Sequence, residues 1–178
     1  SPEFSSGIEY LKNNPTDIIV VEFYGENNLE VQDKISKLKR KVDISGLSLA
    51  STEVIDTEMQ KKVWNMRKAG LGLVMKKPGE AKAIPFVEDT AVSPEKLPEY
   101  VKRFDEIVKQ NGTTAGYYGH ASVGCLHIRP LINLKKEEDI KRMVKISDEI
   151  SDLVFEFGGA FSGAVSYTHL RAHETVVH

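Results

Sequence analysis

A single cysteine, Cys125, is present in 178 residues. One thiol excludes a disulfide framework and a thiolate zinc site, and it fits a reducing compartment. In an apolar stretch a lone cysteine is far more often packing than a nucleophile. Charge of one sign is also scarce: 24 Lys and Arg against 26 Asp and Glu leave a net charge of −2. Nothing in that balance points to nucleic acid or an anionic membrane as a partner. No apolar run is long enough to span a bilayer, and no signal peptide is recognisable. The length suits one domain with short appendages, large enough to bury a core.

What the chain does have is concentrated in residues 117–130, YYGHASVGCLHIRP. His120 and His127 lie seven positions apart, a spacing that puts them on opposite faces of a single extended strand. The intervening Ala-Ser-Val-Gly must turn if the imidazoles are to converge. Gly119 and Gly124 bracket that turn and permit the backbone geometry it needs. Two converging imidazoles with Arg129 nearby could bind a metal, or handle a proton and an anion. Ordinary strand and turn histidines would give the same spacing, so the pair does not decide the matter alone.

Residues 1–4, Ser-Pro-Glu-Phe, read as a cloning scar outside the fold. Residues 17–24 are rich in β-branched side chains and predict a central strand. Residues 28–42 predict an amphipathic helix, with a solvated lysine face from Lys34 to Lys41. Residues 47–54 predict a second strand. Asp56 then caps a helix with Met59, Val63, Trp64 and Met66 on its apolar side. Gly70 and Gly72 are expected to break that helix. Their G-x-G follows a helix and lacks a third glycine, so it is not a dinucleotide fingerprint.

A strand is expected near Ile84, and Ser93-Pro94 starts a helix with the stripe Leu97, Tyr100, Val101, Phe104, Ile107 and Val108. Asn111-Gly112 ends it. Strands over 113–118 and 124–132 flank the histidine turn. A long helix over 135–157 and a last strand at Ala160 follow. The second half therefore reads βαββαβ and the first half β-α-β-α. The expected fold class is α+β: a ferredoxin-like split βαβ pattern, duplicated, with an antiparallel sheet and helices packed on one face. The domain is expected over residues 5–163. Residues 164–178 carry His169, His173 and His178 without an apolar period, and read as a non-native tail. His169 and His173 have helical metal-pair spacing, but His173-Glu-Thr-Val-Val-His178 is one residue too long for a zinc-protease helix.

Several motifs, in order, carry a resemblance. YGHASVGCLHIRP resembles the G-H-x-x-x-G-x-L-H signature in the C-terminal, or cap, domain of FAD-linked oxidases of the glycolate oxidase and D-lactate dehydrogenase type. Trp64-Asn-Met-Arg67-Lys68 resembles that family's W-x-x-R-K, and Val87-Glu-Asp-Thr-Ala-Val92 its V-E-D-x-A-V. Pro94-Glu-Lys-Leu97 resembles P-E-x-L, and Gly158-Gly-Ala-Phe-Ser-Gly163 resembles G-G-x-x-S-G. The H-I-R-P form is most similar to the branch often fused to an iron–sulfur segment. The resemblance covers residues 17–163.

The resemblance implies the substrate domain of a flavoenzyme whose own FAD-binding domain lies N-terminal to it. The implied reaction is hydride transfer from a D-2-hydroxy acid, such as lactate or glycolate, to FAD, with the isolated domain inactive. His120 and His127 match two imidazoles that hold a divalent cation such as zinc, iron or manganese. Arg67 matches the arginine that clamps the substrate carboxylate. Arg129 would also meet substrate, and it stands where many relatives have asparagine. Asp89 is a matched position with a structural role. An iron–sulfur cluster could belong to the full-length protein, a homodimer is compatible, and the expected location is cytoplasmic or peripheral to the inner face of the membrane.

The departures begin after Gly163. Where the family has Glu and His, this chain has Ala164 and Val165, so a third metal ligand and the expected base are missing. Other residues admit plainer readings: Arg67 as a helix-end cation, Trp64 as core, and Lys76-Lys77 as an exposed loop rather than a flavin-phosphate contact. A non-catalytic ferredoxin-like module, sensing a small ligand or forming a dimer, would fit the element order equally well. Convergence of His120, His127 and Arg67 on one open face separates the two readings.

Overall fold

The computed structural model describes residues 17–47, 50–75 and 79–161, with the backbone alone for 70–75. The chain divides into two compact units, residues 1–73 and 74–178.

The first unit contributes two helices. In α1 (Asn28–Ser45), the Asn27 side chain accepts from the Glu30 N–H at 3.0 Å, and Gly46 closes the helix in the left-handed region. Glu30–Lys34 and Asp33–Lys37 pair one turn apart along its exposed side, as a solvated lysine face should. In α2 (Thr57–Met75), Asp56 Oδ1 accepts from the Met59 N–H at 2.9 Å, which is the expected cap.

Two expectations fail here. The helix does not break at Gly70 and Gly72 but continues to Met75. Each glycine costs a helix only about 1 kcal/mol relative to alanine, and Leu71, Leu73 and Met75 favour continuation. Residues 17–25 and 50–55 form no strand. A strand requires a hydrogen-bonded neighbour, and none is present among the described residues of this unit. Ile18, Ile19, Val20 and Val21 are exposed instead. Ser48, Leu49 and Lys76-Lys77 lie outside the described residues, as does the tail with His169, His173 and His178.

The second unit is built around one long strand. Its elements are β1 (Lys82–Ala83), β2 (Thr90–Ala91), a short turn of 3₁₀ helix (Pro94–Lys96), α3 (Leu97–Gln110), β3 (Ala115–His120), β4 (Cys125–Ile132) and α4 (Glu137–Glu156). β3 runs antiparallel along one edge of β4, from Ala115 opposite Pro130 to His120 opposite Cys125. β1 and β2 share the other edge, also antiparallel, at Leu131–Ile132 and Cys125–Leu126. The last expected strand is a single bridge, Ala160 to Ala91. Residues 85–89, between β1 and β2, leave the ladder. Such an interruption re-aims side chains.

β4 alternates sharply. Leu126, Ile128 and Ile132 are buried with Tyr100, Phe104 and Val108 of α3 and Ile146, Ile150, Leu153 and Val154 of α4. Each such side chain contributes about 1.5–3 kcal/mol when fully buried. Both helices thus cover the face that carries the even-numbered β4 residues. His127 and Arg129 point to the opposite face because successive strand residues alternate. Cys125 is buried, and burial pushes its thiol up from the ordinary range, as a packing residue should behave.

Candidate functional site

The hairpin register brings the histidines together. Tyr118 lies opposite His127, and His120, two residues along β3, shares the face of Tyr118. His120 is therefore the diagonal neighbour of His127, a relation in which ring side chains meet. The ring centroids lie 5.5 Å apart, edge to face. Ala121–Val123 form a 3₁₀ turn, and Gly124 closes it with φ 67°. A Cβ on Gly124 would stand 1.7 Å from the Val92 carbonyl oxygen, so only glycine permits this turn to dock on the segment after β2.

Tyr118 packs against His127 with ring centroids 4.9 Å apart, and the Arg129 guanidinium lies over the Tyr118 ring at 5.6 Å. Two adjacent carboxylates rise from the interrupted stretch beside them. Glu88 Oε1 accepts from Arg129 Nε at 2.6 Å and from the Tyr118 hydroxyl at 2.6 Å. Asp89 Oδ1 meets His127 Nδ1. An ionised carboxylate only accepts, so the ring nitrogen is the donor in this contact when Asp89 is charged. Glu88 and Asp89 are both buried, and Asp89 adopts φ 64°, the one positive φ of a non-glycine residue among the described residues. Burial, and then the bond to Glu88, push the Tyr118 phenol above its ordinary range.

The two carboxylates thus have distinct work. Glu88 neutralises Arg129, whose side chain is only 11% exposed, and fixes Tyr118 against His127. Asp89 fixes His127 itself. Of the residues expected to form a site, His120, His127 and Arg129 share one face, with Arg129 engaged by Glu88. Arg67 belongs to the first unit, where it is half-buried and lies 6.0 Å from the Trp64 ring centre. Trp64 is 36% exposed and so is not core. Glu88 and Tyr118 were not expected as site residues, and Asp89 was assigned only a structural place. The available signal was an acidic pair set inside an otherwise apolar, strand-forming run. Among the described residues, no three His, Cys, Asp or Glu side chains form a group able to hold a metal ion. The histidine pair offers two donors.

A small antiparallel sheet with helices on one face, and on the other an imidazole pair of which His127 meets a carboxylate, defines an α+β domain that presents a polar site. Residues 8–164 match the family described as FAD linked oxidases, C-terminal domain. The chain belongs to that family. It is 35% identical over 153 residues to a D-2-hydroxyglutarate dehydrogenase of Haemophilus influenzae, covering 81% of this chain and 14% of that protein. D-2-hydroxyglutarate dehydrogenases of Pantoea ananatis and Escherichia coli are 33% and 30% identical, each over 81% of this chain and 15% of their own length. The chain spans about one-seventh of the curated relatives it matches.

Proposed function

We propose that this chain is the substrate-side domain of a flavin-dependent D-2-hydroxy acid dehydrogenase, with His120 and His127 as two ligands of a divalent cation. The observation that carries the reading is their convergence at 5.5 Å on a sheet face where the stretch between β1 and β2 supplies a carboxylate to one of them. A non-catalytic module would have no need of that arrangement. The strand order β3, β4, β1 with β2, then Ala160 supports a ferredoxin-like reading of the second unit. Its duplication in the first unit rests on element order alone.

The pair suits zinc or iron by its imidazole donors, and manganese where water oxygens complete the set. A cation held there would lower the pKa of a substrate hydroxyl and orient its carboxylate. Flavin, bound by an N-terminal domain outside this chain, supplies the hydride acceptor. His120 and His127 would hold the cation. Glu88 keeps Arg129 and Tyr118 packed beside His127, and the remaining N–H groups of Arg129 can address a substrate carboxylate. Arg67 keeps the carboxylate-clamp role that its motif implies. The relatives' name makes D-2-hydroxyglutarate the first substrate to try, ahead of lactate and glycolate.

The test is dye reduction by the full-length gene product, supplied with FAD, over a panel of D-2-hydroxy acids. Turnover of at least one acid is expected, with loss of about 10²-fold or more in His120→Ala or His127→Ala. A panel with no substrate, or unchanged rates in both variants, would overturn the reading.

A further inference from the structure

We infer that Asp89 is a positioning residue: it holds His127 in the tautomer with the proton on Nδ1, leaving Nε2 as the nitrogen that faces a ligand. This rests on the reading of His127 as a metal-binding imidazole, but its core claim concerns the ring of the metal-free protein.

Three observations support it. First, Asp89 Oδ1 contacts His127 Nδ1, and the carboxylate is buried at 1% exposure. An ionised carboxylate accepts and cannot donate, so a neutral ring paired with it places its proton on Nδ1. Second, the backbone of Asp89 has φ 64° in a chain stretch that has left the sheet ladder. Aspartate is one of the few non-glycine residues that enter that region, and such a conformation persists where the surrounding structure fixes it. Third, Tyr118 packs on the His127 ring at 4.9 Å and is itself tied to Glu88 at 2.6 Å. The ring therefore has a fixed plane as well as a fixed nitrogen.

Imidazole binds a metal through an unprotonated nitrogen. Without an acceptor at Nδ1, the neutral ring in water is free to place its proton on Nε2, the nitrogen needed for the metal. A carboxylate behind a ligating histidine removes that competition and raises ligand basicity; its loss typically weakens metal binding about 10–100-fold. The assignment gives Asp89 and Glu88 different tasks despite their adjacency, since Glu88 accepts from Tyr118 and from the neighbouring cation Arg129.

The experiment is ¹⁵N NMR of the histidine rings in metal-free protein, in mildly alkaline buffer, for the unmodified chain and Asp89→Asn. Asparagine keeps the size and tolerates positive φ, but its amide N–H can donate to Nδ1. The expected result is a protonated Nδ1 and bare Nε2 on His127 in the parent, reversed or mixed in Asp89→Asn. If Asp89→Asn loses its dispersed amide spectrum, the parent spectrum still decides. A bare Nδ1 in the parent, or an unaltered tautomer in a folded Asp89→Asn, overturns the inference. A parallel zinc titration separates it from the metal reading. Parent protein that shows the expected tautomer yet binds no zinc at His127 would sink the metal site and leave the tautomer assignment standing. Zinc binding with equal affinity in parent and variant would overturn the positioning role.

Discussion

At the scale of single residues, the site is a balance of buried charges. Glu88 and Arg129 are 6% and 11% exposed at their side chains, and removing one member of such a pair strands the other. Arg129→Ala should lower unfolding free energy by about 3–5 kcal/mol, read from urea titration. Glu88→Gln combined with Arg129→Met should recover most of that loss, because neither partner is then left charged. Tyr118 adds a pH dependence. Its phenol is raised above the ordinary 10.0 by burial and by Glu88, so both folded and unfolded chains keep the proton below about pH 10. Above that point the unfolded phenol ionises first, and stability falls as pH rises. Tyr118→Phe should flatten part of that alkaline decline and cost about 1 kcal/mol at neutral pH, for a lost hydrogen bond on a half-buried ring. Urea midpoints across the alkaline range check both statements.

At the scale of elements, the hairpin decides whether the imidazoles meet. Reading His120 and His127 by parity within one strand put them on opposite faces, and a turn was needed to reunite them. The structure supplies it: a short turn returns the chain with Tyr118 opposite His127. Register depends on turn geometry, which period-two patterning does not contain. Gly124→Ala should therefore be severe. Its Cβ would collide with the Val92 carbonyl and add positive-φ strain, together about 3 kcal/mol or more. Circular dichroism melting would show the loss, and the His120 and His127 ring signals would shift with it. The helices were readable because their signals are local: Asn27 and Asp56 are proper caps, and the α3 stripe is buried at Tyr100, Phe104 and Val108 as its spacing indicates. The strands expected over 17–24 and 47–54 were not, because a β-branched run states a preference and cannot supply a neighbour. The pairing of Glu88 with Arg129, 41 positions away, was invisible for the same reason.

At the scale of the whole molecule, no helix among the described residues is long and apolar enough to cross a membrane. The family match over residues 8–164 agrees with the resemblance read from the ordered motifs. Motifs report which residues a family reuses, and so they singled out His120 and His127 as candidates. They did not report how Asp89 serves His127, which is a matter of geometry. If flavin is held by a domain outside this chain, purified chain should remain colourless after incubation with FAD and gel filtration; a retained yellow chromophore would contradict that division of labour.

The central claim is that His120 and His127 form one cation site. Its most direct test is paramagnetic mapping with Mn²⁺ added in small amounts to ¹⁵N-labelled chain. The account predicts that the ring signals of His120 and His127 broaden first and together, and that His127→Ala abolishes the effect at His120. Broadening confined to His169, His173 and His178, with the hairpin rings untouched, would contradict it.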